Sequence, residues 1–96
     1  MNDDAVIDFI LYVAGDLPNS RRAAANLQAF CRLRLSGMHN IEIRDVFDDP
    51  EKALADRILL TPQLIVVRGE ARHVVIGDLA DQGVLCQAAD VSDGEQ

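Results

Sequence analysis

Side chains able to do covalent or acid–base chemistry are few in this chain, and their spacing argues against most of it. Cys31 and Cys86 are the only thiols, 55 residues apart. Each lies in apolar sequence of helical period, which predicts reduced core cysteines rather than a bridge or a reactive thiol. His39 and His73 cluster neither with each other nor with the thiols, so no metal site and no cofactor are expected. Ser20 follows Pro18 and Asn19 at a predicted helix start, where a hydroxyl could act as a nucleophile only beside a base. His39 reads as a loop residue and His73 as an edge-strand residue, so Asn19 and Ser20 are better explained as helix caps. Asp16 could serve as a base, but reads as a solvated loop aspartate.

Charge points to binding instead. Sixteen acidic residues oppose nine basic ones, a formal net charge of −7. Such a chain is repelled by nucleic acid and by anionic membranes, so neither is an expected partner. Arg21, Arg22, Arg32 and Arg34 nevertheless gather in one predicted helix. Positive charge at a helix N-terminus is unfavourable by roughly 0.3–1 kcal/mol. Arg21 and Arg22, with Asp16 and Asn19 in the adjoining loop, are therefore the candidate partner-binding residues, facing an acidic patch on another protein. The competing reading is that Asp16 or another acid neutralises them.

The elements that must position these groups follow from pattern. Phe9 to Val13 is an apolar run of strand character, broken by Gly15 and Pro18. Residues 21–35 form an amphipathic helix with Ala23, Leu27, Phe30 and Cys31 on one face; Arg34 borders that stripe, and Gly37 supplies a left-handed stop. Ile41 to Phe47 is a strand with a buried face. Asp48-Asp49-Pro50-Glu51 opens a second helix, with a carboxylate cap, running to about Leu59. Thr61-Pro62 ends it. Gln63–Arg68 and Arg72–Ile76 form a hairpin turning at Gly69-Glu70. Gly77-Asp78 opens a last helix from about Leu79 to Ala89, with Asp78 as its cap. Residues 1–6 and 90–96 are expected to fray.

The order β-α-β-α-β-β-α gives one α/β domain over residues 1–96 with a four-stranded mixed sheet, a thioredoxin-like arrangement. The first three strands are expected to be parallel neighbours, with the hairpin adding an antiparallel edge. Such domains carry a Cys-x-x-Cys pair between the first strand and helix. Asp16, Leu17, Pro18 and Asn19 stand there in this chain. The architecture without its sulfurs predicts a binding protein rather than an enzyme. The alternatives are a thiol- or glutathione-dependent enzyme and a purely structural homo-oligomer. In this fold, a cis Thr61-Pro62 beside the loop would expose backbone groups to an extended peptide. The acidic start Met1-Asn2-Asp3-Asp4 and the lack of a long apolar span predict a cytoplasmic protein.

Leu11-Tyr12-Val13-Ala14-Gly15 with Pro18-Asn19-Ser20, then Asp45-Val46 with Pro50, Ile58-Leu59 with Thr61-Pro62, and Ile76-Gly77-Asp78-Leu79 with Asp81, resemble the KaiB family of circadian-clock proteins. The resemblance spans roughly residues 9–89. It implies a non-enzymatic regulator that binds KaiC, a ring-forming ATPase, in a clock or in a stress response. It also implies the family's alternative, a resting and usually oligomeric form whose second half is rearranged. Gly15, Pro18, Thr61, Pro62, Gly77 and Asp78 would then be structural or switch positions. Glu42 and Val66 stand where clock members place partner-facing basic residues, and Arg68 to Arg72 is a short turn where the family has prolines. The strand propensity of Leu64–Val67 and Val74–Ile76 favours the hairpin over the rearranged form.

Overall fold

The computed structural model describes residues 6–35, 37 and 39–91. Seven elements follow in the expected order: β1 (Ile7–Val13), α1 (Pro18–Arg34), β2 (His39–Asp45), α2 (Pro50–Ala55), β3 (Gln63–Arg68), β4 (Ala71–Ile76) and α3 (Gln82–Ala89). They build one four-stranded sheet in the order β2-β1-β3-β4.

β1 is central and pairs parallel with β2, Phe9 opposite Ile41 and Leu11 opposite Ile43. Its other neighbour, β3, runs antiparallel to it, Phe9 opposite Val66. This corrects the expectation of three parallel strands. A parallel return needs a helix that travels back along the sheet. The six residues of α2 rise only about 9 Å, whereas a seven-residue strand covers about 23 Å. The chain therefore re-enters the sheet at the end where β2 left it. β3 and β4 form the predicted hairpin, with Arg68 opposite Ala71.

Alternation along β1 divides the interior. Ile7, Phe9, Leu11 and Val13 pack with Leu64, Val66 and the apolar faces of α1 and α3, including Leu27, Phe30, Cys31, Leu85 and Cys86. Phe9 meets Phe30 edge to face at 6.3 Å, the arrangement aromatic quadrupoles favour. The opposite face carries a smaller cluster, Tyr12, Ala53 and Ile65, under α2. β2 has no fully buried residue, because it is an edge strand and only partly roofed.

Several helix ends differ from their sequence readings. α1 begins at Pro18 with Leu17 as its N-cap and no side-chain capping bond. Proline fits the first turn because its missing N–H has no partner there anyway. Asn19 and Ser20 thus lie inside the helix and do not cap it. At the other end Leu35 is the C-cap, extended, and its N–H bonds to Cys31 O; Gly37 is not left-handed, so the expected glycine stop is corrected. α2 stops at Ala55, short of Leu59, and Arg57 adopts a left-handed φ of 59°. Its N-cap is Asp49, whose carboxylate makes no capping bond. α3 starts at Gln82, capped by Asp81, which accepts from the N–H groups of Gly83 and Val84. Asp78 is not the cap; it accepts from Ala80 N–H in the preceding turn. Asp90 forms the left-handed C-cap, and Val91 N–H bonds to Cys86 O, so these two residues are held. The fraying expected at residues 1–5 and 92–96 falls outside the described residues.

Candidate functional site

At the carboxyl end of β1 the loop Ala14–Leu17 faces the segment that enters β3. Leu17, Pro18, Asn19 and Ser20 on one side, and Thr61 and Pro62 on the other, line an open groove of about 310 Å³. Gly15 takes a left-handed φ of 66°, turning the chain from strand into helix, and the ring of Phe47 lies against it. Thr61-Pro62, which the sequence left open between cis and trans, is cis. Pro62 O accepts from Gly77 N–H at 3.0 Å, which ties the end of β4 to the groove. Gly77 itself has φ 117°, an angle that side chains disfavour.

The structure brings the sequence-predicted residues together but finds the arginines already paired. Arg21 bridges Asp16 at 3.3 Å, and both side chains are largely exposed. Arg22 donates to Asn19 Oδ1 and lies 3.6 Å from the Asp78 carboxylate. The competing reading, that Asp16 or another acid neutralises these cations, is the one the structure bears out. The loop acid and the acid after β4 close on α1 once the chain folds. Exposed pairs of this kind contribute about 0–1 kcal/mol each, so a partner can exchange them. Asn26 Nδ2 also donates to Asp78 O at 2.8 Å, fixing the Gly77–Asp81 turn onto α1.

Nothing in the groove assembles a nucleophile. The buried Ser20 Oγ accepts from Ala14 N–H at 3.3 Å, a bond that joins strand end to helix. His39 packs edge-on to Phe9, and His73 lies on β4 opposite Val66. Cys31 faces the core, where burial pushes its thiol up to about 11. Among the described residues no group of His, Cys, Asp and Glu is arranged to hold a metal. No helix among them is long and apolar enough to cross a membrane.

On the α2 face lies a polar network that the sequence reading missed. Tyr12 OH donates to Asp56 Oδ2 at 2.6 Å and accepts from Arg44 Nη1 at 2.8 Å. Arg44 grips Glu42 through two bonds, and Arg72 approaches Asp56 at 3.8 Å. The Arg44 guanidinium holds the Glu42 carboxyl below its usual range. Burial, then the bond to Asp56, raises the Tyr12 phenol. Two places apart on a strand, Glu42 and Arg44 had to share a face; that spacing was the available signal. Val66 is wholly buried, so in this fold it cannot stand on a partner-facing surface.

The comparisons with known proteins agree with this geometry. The KaiB domain family matches residues 10–90. The circadian clock oscillator protein KaiB of Synechococcus elongatus is 36% identical over 85 residues, 88% of this chain and 83% of that protein. Its counterpart in a Prochlorococcus marinus strain is 39% identical over 72 residues, covering 75% of this chain and 60% of that one. Among solved structures, the N-terminal domain of Synechococcus elongatus SasA superposes with a TM-score of 0.73 at 22% identity, over 94% of this chain and 89% of that one. Chloroplastic thioredoxin z gives 0.74 at 14% identity, over 92% and 78%. The two superpositions establish a thioredoxin-like fold, and the sequence match is specific beyond it: the chain belongs to the KaiB family.

Proposed function

We propose that this protein is a non-catalytic regulator that binds a KaiC-type ATPase in the cytoplasm, in a circadian or a stress-response setting. The observation that carries the reading is the family match over residues 10–90, a span that includes the loop, the groove and the turn after β4. The cysteine-free loop supports it. Resolving a disulfide takes a second sulfur beside the first, and the core-facing Cys31 offers neither access nor a thiolate at neutral pH.

Asp16, Asn19, Arg21 and Arg22 are the proposed contact residues on the α1 flank of the groove. Gly15, Pro18, Thr61, Pro62, Gly77 and Asp78 shape the backbone around them. Binding of a purified KaiC-type ATPase, followed by analytical ultracentrifugation at two salt concentrations, tests the reading. The wild-type chain is expected to co-sediment with the ring. The Arg21→Glu/Arg22→Glu variant should bind at least tenfold more weakly, with its melting temperature within a few degrees. Unchanged affinity would move the contact elsewhere, and turnover of insulin disulfides at a thioredoxin-like rate would favour an enzyme.

A further inference from the structure

The same end of the sheet has a second flank, built from the turn between β2 and α2. Asp48 and Asp49 N–H both bond to Asp45 O, and Asp45 Oδ1 accepts from Phe47 N–H at 2.9 Å. Val46 N–H bonds to Val13 O at 2.9 Å, anchoring the turn to β1. This fully bonded turn leaves the Phe47 side chain 74% exposed. The ring lies against Gly15, two residues from Leu17 on the groove wall. Leu59 and Leu60, on the approach to Pro62, are 89% and 58% exposed, and Leu17 is 58% exposed. Single exposed apolar residues need no explanation, but Phe47, beside Gly15, and Leu17, Leu59 and Leu60, next to or on the groove walls, gather at one end of the sheet, and such a gathering marks an interaction surface.

Charge selects the occupant. Both arginines at this end are matched by Asp16 and Asp78 on the α1 side. From 45 to 60 the chain carries Asp45, Asp48, Asp49, Glu51 and Asp56 against Lys52 and Arg57, and Lys52 is drawn to Asp49 at 3.8 Å, so the balance on the β2–α2 side is acidic. A second copy of a chain with net charge −7 would bring like charge to this surface, as would an anionic membrane. We infer that the Phe47–Leu60 surface docks a protein segment made of apolar anchors flanked by lysine or arginine.

The inference rests on reading this end as the partner-contact end, and a charge-sense test separates it from that reading. Two short synthetic peptides share one Leu/Phe-rich core, one flanked by lysines and the other by glutamates. Each is titrated into the intact chain while its amide NMR shifts are followed. The lysine-flanked peptide is expected to shift Gly15, Phe47, Asp48 and Leu60 saturably, more weakly as salt rises. Phe47→Ser/Leu60→Ser, changes at exposed sites, should weaken it at least tenfold, and Asp48→Lys should erase the preference between peptides. The Arg21→Glu/Arg22→Glu variant, which adds negative charge beside the surface, should not weaken the lysine-flanked peptide, whatever that variant does to ATPase binding. Equal binding of both peptides, shifts confined to α1, or a dimer abolished by Phe47→Ser/Leu60→Ser would overturn the inference.

Discussion

Burial sets the chemistry of Cys31 and Tyr12, and it does so with a definite pH signature. The Cys31 thiol titrates near 11 in the fold against 9.0 ordinarily, so the folded state prefers the neutral form. Its contribution to stability is complete below pH 9 and is lost as pH rises through about 11. Tyr12 moves in the same direction, by burial first and by its bond to Asp56 second. Glu42 has the opposite sign: its contribution is present above the ordinary carboxylate range and fades as acid protonates it away from Arg44. Urea unfolding of wild type and Cys31→Ala at a series of pH values isolates the thiol. Between pH 9 and about 11, wild type should lose on the order of 2 kcal/mol more stability than the variant. Parallel curves would mean that the thiolate is solvated in the native state. The readout is the slope, because a cavity at position 31 lowers stability at every pH.

The clearest contrast between elements is how each one starts. β3 was legible in the sequence to the residue, because Pro62 and Gly69 bracket an unbroken apolar run. Its direction was not, because hydrophobic period carries no polarity and only the shortness of α2 decides it. By pattern α1 starts at residue 21, three residues late, because Pro18 reads as a breaker whereas it is the helix's first residue. Asp81 was missed as a cap because Gly77-Asp78 looks like one. The groove was legible as two motifs, Pro18-Asn19-Ser20 and Thr61-Pro62, whereas the partners of Arg21 and Arg22 come from sequence-distant or loop acids placed by the fold. These differences are measurable. Asp81→Ala should cost about 1 kcal/mol, while Asn19→Ala should stay within about 0.5 kcal/mol because α1 has no side-chain cap to lose. Equal losses would show that Asn19 does cap in solution. Backbone shifts of residues 63–67 are expected to be extended; helical shifts there would mean that the isolated chain rests in the family's rearranged form.

Across the whole molecule, the sheet is covered unequally. Among the described residues, the face under α1 and α3 holds an apolar cluster of fifteen buried residues, whereas the apolar cluster under six-residue α2 has three, Tyr12, Ala53 and Ile65. Apolar burial contributes roughly 25 cal/mol per Å², so the α2 side is held by far less of it. The polar network compensates locally. Asp56, immediately after α2, takes the Tyr12 hydroxyl and faces both Arg44 and Arg72. It fastens the end of that helix to β1, β2 and β4 at once. Regions with few buried contacts open independently of the global core. In native-state hydrogen exchange, the Ala53 and Ile58 amides, bonded to Asp49 O and Ala53 O, should therefore exchange through a lower-energy opening than Leu11 and Ile65. Asp56→Ala removes the fastening without touching the larger core. It should raise exchange at Ala53 and Ile58 at least tenfold beyond any change at Leu11. That factor corresponds to about 1.4 kcal/mol of selective loosening. A uniform increase across all four amides would mean that α2 unfolds only with the whole domain, and that the network stabilises the molecule globally.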